Sequence, residues 1–174
     1  MSFNCTLSQG AVLGCSTIAG VQNVYIGNWE AISAFTQDAC GIITGLTPTA
    51  PLTAYTFEMD IQMAGLTQEG TFTRENGTAF FDTNLTIRLV DLDCNKRNNL
   101  VELARAGLFA VIVANSGTAF YAGLETAGRA TAGSASLGQN LGDFNGVELT
   151  LNWKSANGIY VLDPALIGTT ITIV

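Results

Sequence analysis

The run from Leu100 to Trp153 constrains this chain most, because short apolar strands in it are cut repeatedly by glycine-bearing turns. Within Leu108-Phe109-Ala110-Val111-Ile112-Val113-Ala114, Phe109 to Ala114 reads as an apolar strand, and Asn115-Ser116-Gly117 turns it into a second arm, Thr118 to Ala122. Val147 to Trp153 alternates apolar and polar residues and reads as a further strand. Between these arms, Gly123 to Asn145 is rich in Gly, Ala, Ser and Thr and reads as a long loop, either functional or ordered by a neighbour. Nothing in the run carries a catalytic constellation. It has the character of an assembly module.

The rest of the chain is punctuated in the same way. Val21 to Ile26 reads as a strand entered through Gly20 and left through Gly27-Asn28. Ala31 to Phe35 is short and ambiguous, Gly41 to Leu46 is a brief apolar piece, and Thr47 to Leu52 is a proline-bearing loop. From Thr53 to Ile61 the period is two, with Tyr55, Phe57 and Met59 on one face and Thr56, Glu58 and Asp60 on the other. Asn76-Gly77 signals a hairpin between Gly70–Arg74 and Thr78–Leu89. In the second arm Phe81, Thr83, Leu85, Ile87 and Leu89 share one face, and Asp82, Asn84, Thr86 and Arg88 share the other. One helix is expected, Arg97 to Ala106, capped by Asp93 or Asn95, with Leu100, Leu103, Ala104 and Leu108 forming its apolar stripe. Strands at Ile159–Leu162 and Thr169–Val174 complete the pattern. The fold class is mainly β: a mostly antiparallel sandwich or barrel with one flanking α-helix. At 174 residues, positions 1–174 form a single domain with a substantial core.

Composition narrows the function. Charged residues are 12% of the chain against about a quarter in ordinary soluble domains, while apolar residues reach 48%. The longest apolar stretch, Ala106 to Ala114, is less than half of the ~20 residues that span a membrane. So few charges on so apolar a chain imply that much of its surface is covered by other copies or partners. The net charge of −7 excludes a clustered basic footprint for gripping nucleic acid.

The chain has no histidine, which removes the commonest general base and metal ligand. Cys5, Cys15, Cys40 and Cys94 form no CxxC pair, and no basic, apolar leader precedes them. Buried free thiols in a reducing compartment are the expected state, with a disulfide framework as the alternative. Asp91, Asp93 and Asn95 alternate like an oxygen-ligand loop, but Lys96 and Arg97 follow at once, so helix capping is the simpler reading. Asn4, Asn76 and Asn84 stand in Asn-x-Ser/Thr triplets, which chance explains in a chain this rich in Thr and Asn. A serine nucleophile would have only Lys96 or Lys154 as a base, and no motif surrounds either. The expectation is a protein that is not an enzyme and uses no metal or cofactor.

Several ordered motifs carry a family resemblance. They are Cys15 with Gly20 to Asn28, Gln68-Glu69-Gly70-Thr71-Phe72, Asn76-Gly77-Thr78 with Phe80-Phe81, and Arg97 with Leu100 and Leu103. Val111-Ile112-Val113, Gly117, Phe120 to Gly123, Gly142 to Gly146 and Leu149-Thr150-Leu151 follow in order. In that order and spacing the chain resembles the tail tube proteins of tailed phages, especially those of Bacteroidetes hosts. Val147 departs from the pattern where an aromatic is common, as does Trp153-Lys154-Ser155 where an acidic stretch is usual.

The resemblance implies a structural virion protein of tail-tube fold, made in the host bacterial cytoplasm and residing in the tail. Such subunits form homohexameric rings that stack into a hollow tube beside other tail proteins. DNA passes through the lumen without specific binding. On this reading Glu58, Asp60 and Asp82 are candidate lumen-facing acids. The hairpin with Glu69, Glu75, Asn76 and Gly77 is the candidate inter-ring element, and Gly123 to Asn145 packs on a neighbour. Two alternatives stand beside it: the inner tube of a contractile injection system, and a β-sandwich adhesin or carbohydrate-binding module. The last would want an exposed aromatic platform, whereas core roles are expected for Trp29 and Trp153.

Overall fold

The computed structural model describes residues 18–59, 62–73, 75, 77–91, 93–140 and 142–174. Among the described residues twelve strands and one α-helix follow one another as β1 (Val21–Asn28), β2 (Ile32–Gln37), β3 (Ile43–Pro48), β4 (Leu52–Phe57), β5 (Ala64–Thr73), β6 (Thr78–Val90), α1 (Cys94–Arg105), β7 (Leu108–Ala114), β8 (Ala119–Ala122), β9 (Arg129–Ser136), β10 (Gly146–Ser155), β11 (Tyr160–Leu162) and β12 (Ile171–Ile173), with a short 3-10 turn at Pro164–Leu166 before β12. Eight of the strands form one curled sheet in the order β12-β4-β1-β7-β8-β11-β3-β2. The other four form a second sheet in the order β5-β6-β10-β9. Pairing is antiparallel except between β11 and β3 and between β12 and β4. The mainly β class with one helix is therefore the observed one.

The apolar run Leu108–Ala114 is uninterrupted because β7 lies between β1 and β8 and is covered on both faces. Leu108, Ala110 and Ile112 point into a core shared with Val24, Ile26, Leu85, Ile87, Leu149 and Leu151, which fills the space between the two sheets. Phe109 and Val111 point the other way, into a core with Ile43, Leu52, Tyr121, Leu162 and Ile171 that the curled sheet wraps. Alternation along β6 comes from covering on one face only: Thr83, Leu85 and Ile87 are buried while Asp82, Asn84 and Thr86 are half-buried and Arg88 is exposed. Both tryptophans serve the core. Trp153 is buried and donates Nε1–H to Leu108 O at 2.9 Å, and half-buried Trp29 donates to Gly123 O at 2.7 Å.

Several boundaries differ from expectation. The helix starts at Cys94, with the Asp93 carboxylate accepting from Lys96 N–H at 2.7 Å, so the capping reading of this acid holds. β4 stops at Phe57, because the chain leaves the sheet there and takes Phe57 and Met59 into the inter-sheet core. Tyr55, expected on their face, is 51% exposed. β5 begins at Ala64 rather than Gly70, and its ladder with β6 runs from Ala64↔Ile87 to Thr73↔Thr78. Gly123 to Asn145 is not one long loop, since β9 occupies Arg129–Ser136 and pairs with β10. Cys40 and Cys94 are free but exposed, which corrects the expectation of buried thiols; Cys5 and Cys15 lie outside the described residues.

Candidate functional site

The second sheet turns its apolar face inward, so its polar residues form the opposite, outer face. Strict register between β6 and β10 places four polar pairs directly across from one another: Asp82↔Lys154, Asn84↔Asn152, Thr86↔Thr150 and Arg88↔Glu148. Arg88 Nε lies 2.6 Å from Glu148 Oε2, and Lys154 Nζ lies 3.6 Å from Asp82 Oδ1. Between these ion pairs, Asn152 Nδ2 donates to Asn84 Oδ1 at 2.8 Å, and the hydroxyls of Thr86 and Thr150 stand 3.4 Å apart. Each cation also lies over an aromatic ring, Lys154 over Phe80 at 5.5 Å and Arg88 over Phe144 at 5.9 Å.

The sheet's edges are β5 and β9. Neither strand contains proline or lysine, and β9, with the sequence RATAGSAS, is exposed along nearly its whole length. Both thus lack the proline or lysine guards that commonly blunt an open edge. The β5–β6 hairpin runs past the end of β10: pairing with β10 ends at Phe81, while β5 and β6 pair on to Thr73↔Thr78. Near its tip Phe72 is 67% exposed and meets Phe81 edge-on at 5.6 Å. Glu75 is exposed, and Gly77 takes φ 63°, the left-handed conformation that glycine supplies at a turn.

The expected acids are therefore divided between surfaces. Asp82 and Glu69 stand opposite each other on the outer face. Glu58, just past β4, instead lines a groove of about 890 Å³ on the core side, with Tyr55, Lys96, Leu100, Leu149 and Val174. Asp60 and Asn76 lie outside the described residues. Lys96 Nζ donates to Val90 O, Ser155 Oγ donates to Gly158 O, and Lys154 Nζ lies beside the Asp82 carboxylate. Among the described residues no three His, Cys, Asp or Glu side chains are gathered to hold a metal ion. No described helix is long and apolar enough to cross a membrane.

A second polar cluster ties the chain before β9 to the turn after β10, and nothing in the local pattern announced it. Glu125 accepts from Ala156 N–H, Asn157 Nδ2 and Tyr160 O–H at 2.7, 2.7 and 2.8 Å. Burial pulls its pKa upward, but these hydrogen bonds prevail and hold the carboxyl below its ordinary range. Tyr160 is shifted upward by burial and by the same carboxylate. Thr126 Oγ1 donates to Lys154 O alongside, so the cluster also steadies the strand that carries Lys154.

No family model matches this chain, and no curated protein matches it in sequence.

Proposed function

We propose that this protein is a non-catalytic structural subunit that assembles through the edges of its four-stranded sheet into rings stacking as a hollow phage tail tube. The observation that carries the reading is the sheet itself, with edges at β5 and β9 that carry no proline or lysine, α1 lying against β9, and a continuous polar outer face between the edges. An edge strand presents a row of unpaired N–H and C=O groups, and β9 of one copy is suited to add to β5 of the next. Such a contact is heterologous, so it closes into a ring when the rotation between copies permits. The polar face then lines the bore and DNA slides along it. The projecting hairpin with Glu69, Glu75, Asn76 and Gly77 reaches the adjacent ring. The inner tube of a contractile injection system would use the same contacts. The carbohydrate-binding reading lacks support from either tryptophan, since both are bound into the core.

Electron microscopy and light scattering across a protein concentration series test this. Rings or stacked tubes are expected, and the double variant Ala132→Lys, Ser134→Lys on β9 should stay small while keeping its secondary structure. A wild-type protein that remains monomeric at every concentration, including with the other tail proteins present, sinks the proposal. If assembly persists unchanged when the hairpin is altered by Glu75→Lys or by deletion of Asn76-Gly77, the inter-ring role of the hairpin fails.

A further inference from the structure

The outer face of the four-stranded sheet is not acidic, although the whole chain carries −7. The acids on it are Glu69, Asp82 and Glu148, and the bases are Arg88, Arg129 and Lys154, with Arg129 directly across from Asn152. The face is electrically balanced. Its two central-strand cations are each held twice, by a carboxylate on the paired strand and by an aromatic ring. Those ion pairs mark the two ends of a ladder whose middle is neutral amide and hydroxyl. The opposite charges of the two ion pairs lie a few ångströms apart and cancel at distances beyond the Debye length of ~8 Å, so the two central strands project little net field, while Glu69 and Arg129 stand apart on the two edge strands. The remainder of the chain's negative charge lies elsewhere.

We infer that this face meets double-stranded DNA as a charge-cancelled track, in which Asp82 and Glu148 act as covers that deny Lys154 and Arg88 to phosphate. The identification of DNA as the polyanion rests on the tube reading; the covering of the cations does not. A wall of free cations would release counterions and grip the duplex. A strongly negative wall would hold it away and spend work on confining it. Paired charges flanking amides and hydroxyls do neither. The covers are also cheap to remove, because half-exposed ion pairs contribute only ~0–1 kcal/mol to stability.

The test is to uncover the cations. Asp82→Asn with Glu148→Gln keeps shape and hydrogen-bonding capacity but leaves Lys154 and Arg88 unpaired. Fluorescence anisotropy with a short labelled duplex at low salt should show little binding by the wild type and at least a tenfold gain by the double variant. Two newly available cations should also steepen the dependence of log K on log salt by ~1.8. Adding Lys154→Gln and Arg88→Gln to that variant should abolish the gain, which separates phosphate contact from loosened structure. Each single cover removal should give about half the change in salt slope. A double variant that folds and binds no better than wild type, or a wild type that already binds tightly, overturns the inference. Microscopy of the same samples keeps the two readings apart. Rings without the gain would reject the track, and the gain without rings would reject the tube.

Discussion

Gly128 lies flat against the indole of Trp153, on the strand-like stretch that exchanges backbone hydrogen bonds with Leu108. A side chain at 128 would press on Nε1 and Cε2 and would stand 2.6 Å from Cδ1. The indole cannot retreat, because its N–H is held by Leu108 O and its faces are buried. Gly128→Ala should therefore destabilise the fold by about 1–3 kcal/mol through overpacking. Urea unfolding followed by tryptophan fluorescence measures this. A midpoint within experimental error of wild type would mean the approach is looser than described.

Glu125 predicts a pH dependence with a definite sign. Its folded pKa is depressed below the ordinary 4.5, so the unfolded chain binds its proton first as the pH falls. The stabilisation from its three hydrogen bonds is thus fully present above about pH 5 and disappears as the pH drops through the folded value. Because the carboxylate is exposed to water, its loss should cost no more than about 1 kcal/mol. Glu125→Gln should remove this part of the acid sensitivity while leaving the remaining acid unfolding in place. Identical stability-versus-pH curves for the variant and wild type would reject the assignment.

The acids at the entrance to α1 have different jobs, and substitution separates them. Asp93 caps the helix, so Asp93→Ala should cost about 1 kcal/mol. Asp91 sits at φ 66°, a left-handed conformation that most side chains resist. Asp91→Gly should consequently be neutral or stabilising by up to about 1 kcal/mol. Thermal unfolding of the two variants, with and without added calcium, checks both. Equal losses, or a calcium-dependent shift in wild type that either variant removes, would restore the oxygen-ligand reading of this loop.

These cases show what a linear pattern carries. The alternation of Thr83, Leu85 and Ile87 was readable because β6 is covered on one face and open on the other. β9 was not, because an edge strand of Ala, Ser, Thr and Gly has no apolar period and owes its state to hydrogen bonds with β10. Asp82 could be assigned to the polar side of β6, whereas its partner Lys154 could not be named. The pairing depends on register between strands far apart in sequence, which local periodicity does not encode. Exposure of Cys40 and Cys94 escaped for a related reason, since a thiol is apolar enough to suit a core and small enough to stand outside one.

Tyr121 supplies the sharpest test of the core. Its ring is buried and stacks on Phe109 with centroids 5.7 Å apart, yet its hydroxyl has no hydrogen-bond partner among the described residues. Burial alone drives its pKa far above the usual phenol range, so the group is a neutral O–H across the accessible pH range. Desolvating an unsatisfied hydroxyl costs about 1–3 kcal/mol, whereas the ring's packing is shared by phenylalanine. Tyr121→Phe should therefore raise stability by about 1 kcal/mol or more without moving its neighbours. Guanidinium unfolding of the variant decides between two descriptions of this core. A gain means the hydroxyl is orphaned. A loss means it is satisfied by a buried water, which needs little more space than one probe sphere and two or more polar partners.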